Sequence, residues 1–106
     1  MKRVQLREIA HSRSGDKGDA VNLSVIPYRE EDYDLVCREV TVERVRALFK
    51  DICHGEIVRY EVPNVSALNF VLENCLGGGV TKSLALDMHG KSYSFLLLSM
   101  EIDVPE

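Results

Sequence analysis

The chain is 106 residues long, 45% hydrophobic and 28% charged, with a formal net charge of −4. That is one domain of ordinary globular composition, long enough to bury about two-thirds of its unfolded surface without metals or other staples. The acidic balance argues against a nucleic-acid partner, which needs a basic face, and no apolar run approaches a membrane span. The amino-terminal MKRVQLREIA also lacks the apolar run of a signal peptide.

In chain order, Arg3 to Ala10 reads as a strand: Val4 and Leu6 alternate with charged residues until Ile9 breaks the phase, which predicts a twist or bulge. Ala20 to Ile26 is a second strand, with Val21, Leu23 and Val25 on one face, Asn22 and Ser24 on the other, and Pro27 as its end. Together they predict a hairpin with a wide polar connection. Arg29 to Glu39 opens on acidic residues suited to a helix amino end, with Tyr33, Val36 and Cys37 inward. Thr41 then caps a helix whose Val42, Val45, Leu48, Phe49 and Ile52 recur at three and four, and Gly55 is its expected stop.

Glu56 to Val62 alternates as a strand. Pro63-Asn64 is expected to open a further helix with Val65, Leu68, Leu72 and Cys75 as its buried stripe, ended by Gly77, Gly78 and Gly79. Thr81 to Asp87 and Ser92 to Val104 read as the last two strands. The Phe95-Leu96-Leu97-Leu98 run suggests burial on both faces of the second. The order β-β-α-α-β-α-β-β predicts an α+β fold, a ferredoxin-like sandwich with a mixed or antiparallel sheet and helices on one face. Cys37, Cys53 and Cys75 show no metal spacing and read as free buried thiols of a reducing, cytoplasmic compartment. The three histidines are widely separated, and no metal or cofactor is expected.

Two stretches carry the chemistry. In HSRSGDKGDAVN, Gly15 and Gly18 permit positive φ, so that inward N–H groups form an anion nest to which Lys17 and Arg13 add positive charge. The Walker spacing is absent. Asp16 and Asp19 leave alternatives: oxygen ligands for a metal, pairing with Lys17 and Arg13 to rigidify the turn, or a tight loop of common turn formers, Ser14 among them. Asn22 favours a functional reading, because a strand disfavours Asn. The second stretch is Asn69 with Gly77 to Gly79 and Lys82. Three glycines exceed what a helix stop needs and suggest close approach to a ligand or another chain, against the alternative of a flexible connection.

HSRSGDKGDAVNLSV, TVERVRALF, PNVSALNFVLENCLGGGVT and LSMEIDVP together resemble the carboxy-terminal domain of the AtuA-like, acyclic-terpene-utilisation family. The resemblance covers nearly the whole chain. It implies a ferredoxin-like fold and a bacterial setting in acyl-CoA or terpenoid catabolism. It supplies no reaction for the small domain, and the larger members' long amino-terminal domain is not among these 106 residues. The leading expectation is a single-domain accessory module binding an anionic ligand, of acyl-CoA or carboxylate type, through Arg13, Ser14, Gly15, Asp16, Lys17, Gly18, Asp19, Asn22, Asn69, Gly77, Gly78, Gly79 and Lys82. Two rivals stand beside it: an enzyme using Asp16 or Asp19 with Lys17 as acid and base, and an oligomerisation or interaction domain. A homo-oligomer is expected, and a larger AtuA-type or acyl-CoA-metabolising protein is a candidate partner.

Overall fold

The computed structural model describes residues 2–17, 20–75 and 93–105, with residues 16 and 17 through their backbone alone. The first expected strand is split. Lys2–Gln5 forms β1, Leu6–Glu8 makes one 3-10 turn where the apolar phase breaks, and Ala10–His11 forms β2. The polar stretch that follows is itself a strand, β3 (Ser14–Lys17), which pairs back on β4 (Ala20–Pro27). The wide connection expected there is therefore a narrow one, since Lys17 pairs with Ala20.

The next elements follow the sequence reading closely. Glu30–Asp32 is a 3-10 turn leading into α1 (Tyr33–Glu39), with Val36 fully buried and Tyr33 and Cys37 half-buried. Helix α2 (Val42–Leu48) is capped by the Thr41 hydroxyl, which accepts from the Arg44 N–H at 3.2 Å. Val45 and Phe49 are fully buried.

Gly55 does not stop that helix. It pairs with Glu73, donating its N–H to the Glu73 carbonyl at 3.0 Å, and a Cβ there would stand 2.7 Å from that oxygen. The backbones approach where only glycine fits, beside a disulfide joining Cys53 to Cys75. The reading of three free thiols is thus corrected: Cys37 alone is free. The pair was hidden because 22 residues separate its members and a hairpin reunites them.

That hairpin contains the largest departure. After β5 (Ile57–Val62), Pro63–Val65 makes a single 3-10 turn and Ser66, at φ 52°, reverses the chain into β6 (Ala67–Leu72). The helix expected from Asn64 onward is a strand. Leu68, Phe70 and Leu72 are fully buried while Asn69 and Val71 are half-exposed, a period of two, and Val65 of the supposed helical stripe is 65% exposed. Spacing of four between Leu68 and Leu72 satisfies either period, and the intervening Phe70 decides for the strand.

The expected strand Ser92 to Val104 is helix α3 (residues 93–98) followed by β7 (Glu101–Val104). Tyr93 and Leu97 face the core from the helix, and Phe95 is 64% exposed. The expected strand Thr81 to Asp87 lies outside the described residues.

Every described pairing is antiparallel. One sheet runs β2-β4-β6-β5, with β3 following β2 along the same edge of β4, and β1 pairs with β7 in a two-stranded sheet. Val21, Leu23 and Val25 of β4 and Leu68, Phe70 and Leu72 of β6 meet Val36, Val40, Val45 and Phe49 in one core. On the same face of β5, Arg59 donates to the Cys37 and Val40 carbonyls at 2.7 and 3.0 Å, satisfying acceptors that the end of α1 leaves open. The result is the α+β sandwich expected, with helices against one face of the larger sheet.

Candidate functional site

The core fixes which residues the other face presents. Strand β4 alternates strictly, with Val21, Leu23, Val25 and Pro27 buried and Asn22 exposed between them. Its register against β6 sets Ser24 opposite Asn69 and Asn22 opposite Val71. The register of β6 against β5 continues both rows, placing Tyr60 opposite Asn69 and Val58 opposite Val71. Directly opposed residues share a face, so Ser24, Asn69 and Tyr60 form one row and Asn22, Val71 and Val58 the next.

Arg13 extends the first row. It lies between β2 and β3, where the ladder is modified: its N–H donates to the Ser24 hydroxyl at 3.0 Å, and its carbonyl accepts from the Ser24 N–H at 2.9 Å. The serine side chain takes an acceptor's place in the ladder, which explains a Ser in mid-strand and the break in β structure at Ser12-Arg13. The Ser12 hydroxyl is buried and Arg13 is exposed, so the arginine falls on the face opposite the core. No described residue forms an ion pair with Arg13, and none hydrogen-bonds the Asn22 or Asn69 amide. Gly15 completes the second row opposite Asn22. It sits in extended backbone with open space around its Cα, so the positive φ expected of it in an anion nest is not found. Beyond Arg13, His11 stacks on Tyr28 with ring centroids 5.4 Å apart.

Of the residues singled out in the sequence, the fold brings Arg13, Gly15, Asn22 and Asn69 onto one surface. Ser14, opposite Leu23, belongs to the core side. Asp16 and Lys17 sit in the β3 ladder opposite Val21 and Ala20. Gly18, Asp19, Gly77, Gly78, Gly79 and Lys82 lie outside the described residues. Tyr60 was missed; its alternation with Val58 and Val62 was legible, but its place beside Asn69 needed β6 to be a strand.

The electrostatics of this face vary from row to row. Arg13 is the one full charge of its own row, while two rows away the ladder continues past β5 and β6 to the exposed Glu56 and Glu73, whose backbones are joined by a hydrogen bond from the Glu73 N–H to the Glu56 carbonyl at 3.0 Å. The nearest acid in β5, Glu61, points to the helix side and is paired with Arg59 at 2.7 Å. A concavity of about 430 Å³ lies elsewhere, between α2 and β7, lined by Arg44, Ala47, Leu48, Ser99, Met100 and Glu101. Its cation is already engaged, because Arg44 donates to the Glu39 carboxylate and to the Glu39 and Glu101 carbonyls. Among the described residues no group of His, Cys, Asp and Glu comes together to hold a metal, and no helix is long and apolar enough to cross a membrane.

The chain matches the AtuA ferredoxin-like domain over residues 4–103. It belongs to that family. The antiparallel sheet with helices on one face is accordingly the family's ferredoxin-like fold. Searches of curated proteins and of solved structures returned no match. The open face of this AtuA ferredoxin-like domain must therefore be interpreted from its own chemistry.

Proposed function

We propose that this AtuA ferredoxin-like domain is a binding module for a small anion, of carboxylate or acyl-CoA type, serving as an accessory in acyl-CoA-linked catabolism. One observation carries the reading: Arg13, without a described ion-pair partner, heads a row with Ser24, Asn69 and Tyr60 that itself holds no acid. A guanidinium offers a forked, permanently charged donor matched to carboxylate and phosphate oxygens. The Asn22 and Asn69 amides add neutral donors and acceptors on neighbouring strands. Binding is preferred to catalysis because, among the described side chains of this face, no nucleophile stands beside a base, and the Ser24 hydroxyl is bonded to the Arg13 backbone.

Calorimetric titration with a panel of short carboxylates and CoA thioesters tests it. Binding that weakens about tenfold in Arg13→Gln supports the reading, a charge-assisted hydrogen bond contributing about 1.5 kcal/mol. If no member of the panel binds the wild-type domain, the reading fails.

A further inference from the structure

The open face is not uniform from edge to edge. Its polar groups gather on the side of β2 and β4, where Arg13, Asn22 and Ser24 lie. Its apolar groups gather at β5, where Val58 is half-exposed, Tyr60 is 52% exposed and Val62 is 37% exposed. Val71 stands between them on β6. Strand β5 ends the described sheet, and the exposed Val65 continues the apolar strip just past its end. Three interstrand steps separate Arg13 from Tyr60, about 14 Å at about 4.8 Å per step.

Resting on the anion-binding reading above, we propose that the ligand is amphipathic: an acidic head held at Arg13 and an unbranched or branched aliphatic tail laid across β6 to the β5 edge. A wholly polar anion would leave the β5 strip exposed to water in the complex. A second copy of the chain fits less well, because packing this face on itself would take two Arg13 guanidinium groups and the exposed Glu56 and Glu73 carboxylates out of water together, and the desolvation of such charges often exceeds their mutual attraction. An aliphatic tail covers the apolar strip and leaves the polar side to the head.

The tail makes a quantitative signature. A fully buried methylene contributes about 0.8 kcal/mol, close to fourfold in affinity, and one shielded on one side contributes about half of that, or twofold. Straight-chain carboxylates from butyrate to myristate, titrated below their micellar concentrations, are therefore expected to bind two- to fourfold tighter per added methylene until the chain passes β5. The double variant Tyr60→Ser/Val62→Ser, at two exposed positions, is expected to flatten only the end of this series, from decanoate upward, where the chain is long enough to reach β5, while butyrate and hexanoate bind as to wild type. Arg13→Gln is expected to weaken every member by the same factor. Octanoate against octanoyl-CoA separates a carboxylate head from a CoA phosphate head, since the arm that binds identifies the source of the acid.

A flat series in a wild-type domain that does bind butyrate overturns the tail and leaves the anion reading intact. Failure of every carboxylate and thioester overturns both. A dimer in light scattering that Tyr60→Ser/Val62→Ser dissociates replaces the tail by a second copy and also overturns the proposal.

Discussion

Glu39 ends α1 and receives donors from three directions. Its carboxylate accepts from the Asp103 backbone N–H at 3.0 Å, from Arg44 at 3.1 Å and from Arg38 at 3.3 Å, with its side chain 14% exposed. The Asp103 N–H holds the carboxyl below the ordinary glutamate value; desolvation opposes it, and Arg38 and Arg44 assist it. The group thus fastens β7, and through it β1, to the two helices. In Glu39→Gln the acceptor geometry survives in part but the charge is lost. Arg38 is 55% exposed and adds little, so the Asp103 and Arg44 bonds decide the size. Charge-assisted bonds of this kind are worth about 1.5–3 kcal/mol, which places the loss near 2 kcal/mol, or about 10 °C in melting temperature for a domain of this length. The pH dependence has a fixed sign. A carboxyl depressed in the folded state stabilises fully above its unfolded value, and the contribution fades as pH falls through the depressed one. Thermal melts followed by circular dichroism from pH 7 downward should show wild type and Glu39→Gln converging in acid. A gap under about 3 °C at pH 7, or one that stays constant down to pH 3, would refute the reasoning. Asp103→Asn is the control: among the described residues its side chain pairs only with the exposed Arg3, and little change is expected.

Other expectations follow from single contacts. Gly55→Ala drives a methyl to 2.7 Å from the Glu73 carbonyl, and the resulting backbone shift should cost about 1–3 kcal/mol in urea denaturation. The Cys53–Cys75 bridge closes a loop of 22 residues, so Cys53→Ala/Cys75→Ala should lose about 3 kcal/mol. Thiol titration of the denatured, unreduced protein should find one free cysteine, and finding three would remove the basis of that estimate. Thr41→Ala removes the α2 cap and should cost about 1 kcal/mol, with no change in ligand affinity.

Much of the fold was legible because local patterning and global packing agree in the first half of the chain. The Val21-Leu23-Val25 alternation and the Val42-Val45-Phe49 stripe each admit one period, and Thr41 marks its boundary by a mechanism of its own. The second half misled where apolar residues satisfied two periods. Leu68 and Leu72 fit a helix as well as a strand, Pro63-Asn64 imitates a helix start, and four consecutive apolar residues at 95–98 suit a buried strand or a short buried helix. Gly55 was legible as special but not for the right cause. Its neighbour across the hairpin, Glu73, lies 18 residues away, and close approach leaves no mark in local sequence. The disulfide was invisible for the same reason.

The site was legible as a set of residue types and not as a place. Asn22 and Asn69 were conspicuous as polar residues in apolar surroundings, yet they are 47 positions apart and become neighbours only through the pairing of β4 with β6. That pairing is enforced from the opposite face. Leu23 meets Phe70 inside, and a slip of one residue in β4 would turn Leu23 outward and Asn22 into the core, as a slip in β6 would do to Phe70 and Asn69. The burial of fully enclosed leucines and a phenylalanine, about 1.5–3 kcal/mol each, therefore holds the open face in register at no cost to its polarity. Arg13 is held differently, by the exchange of its backbone with Ser24 at the point where β2 gives way to β3. The backbones that carry this row are thus fixed without being buried, and on the proposed function that fixed spacing is what would let Arg13 and the two amides meet a ligand by geometry as well as by charge.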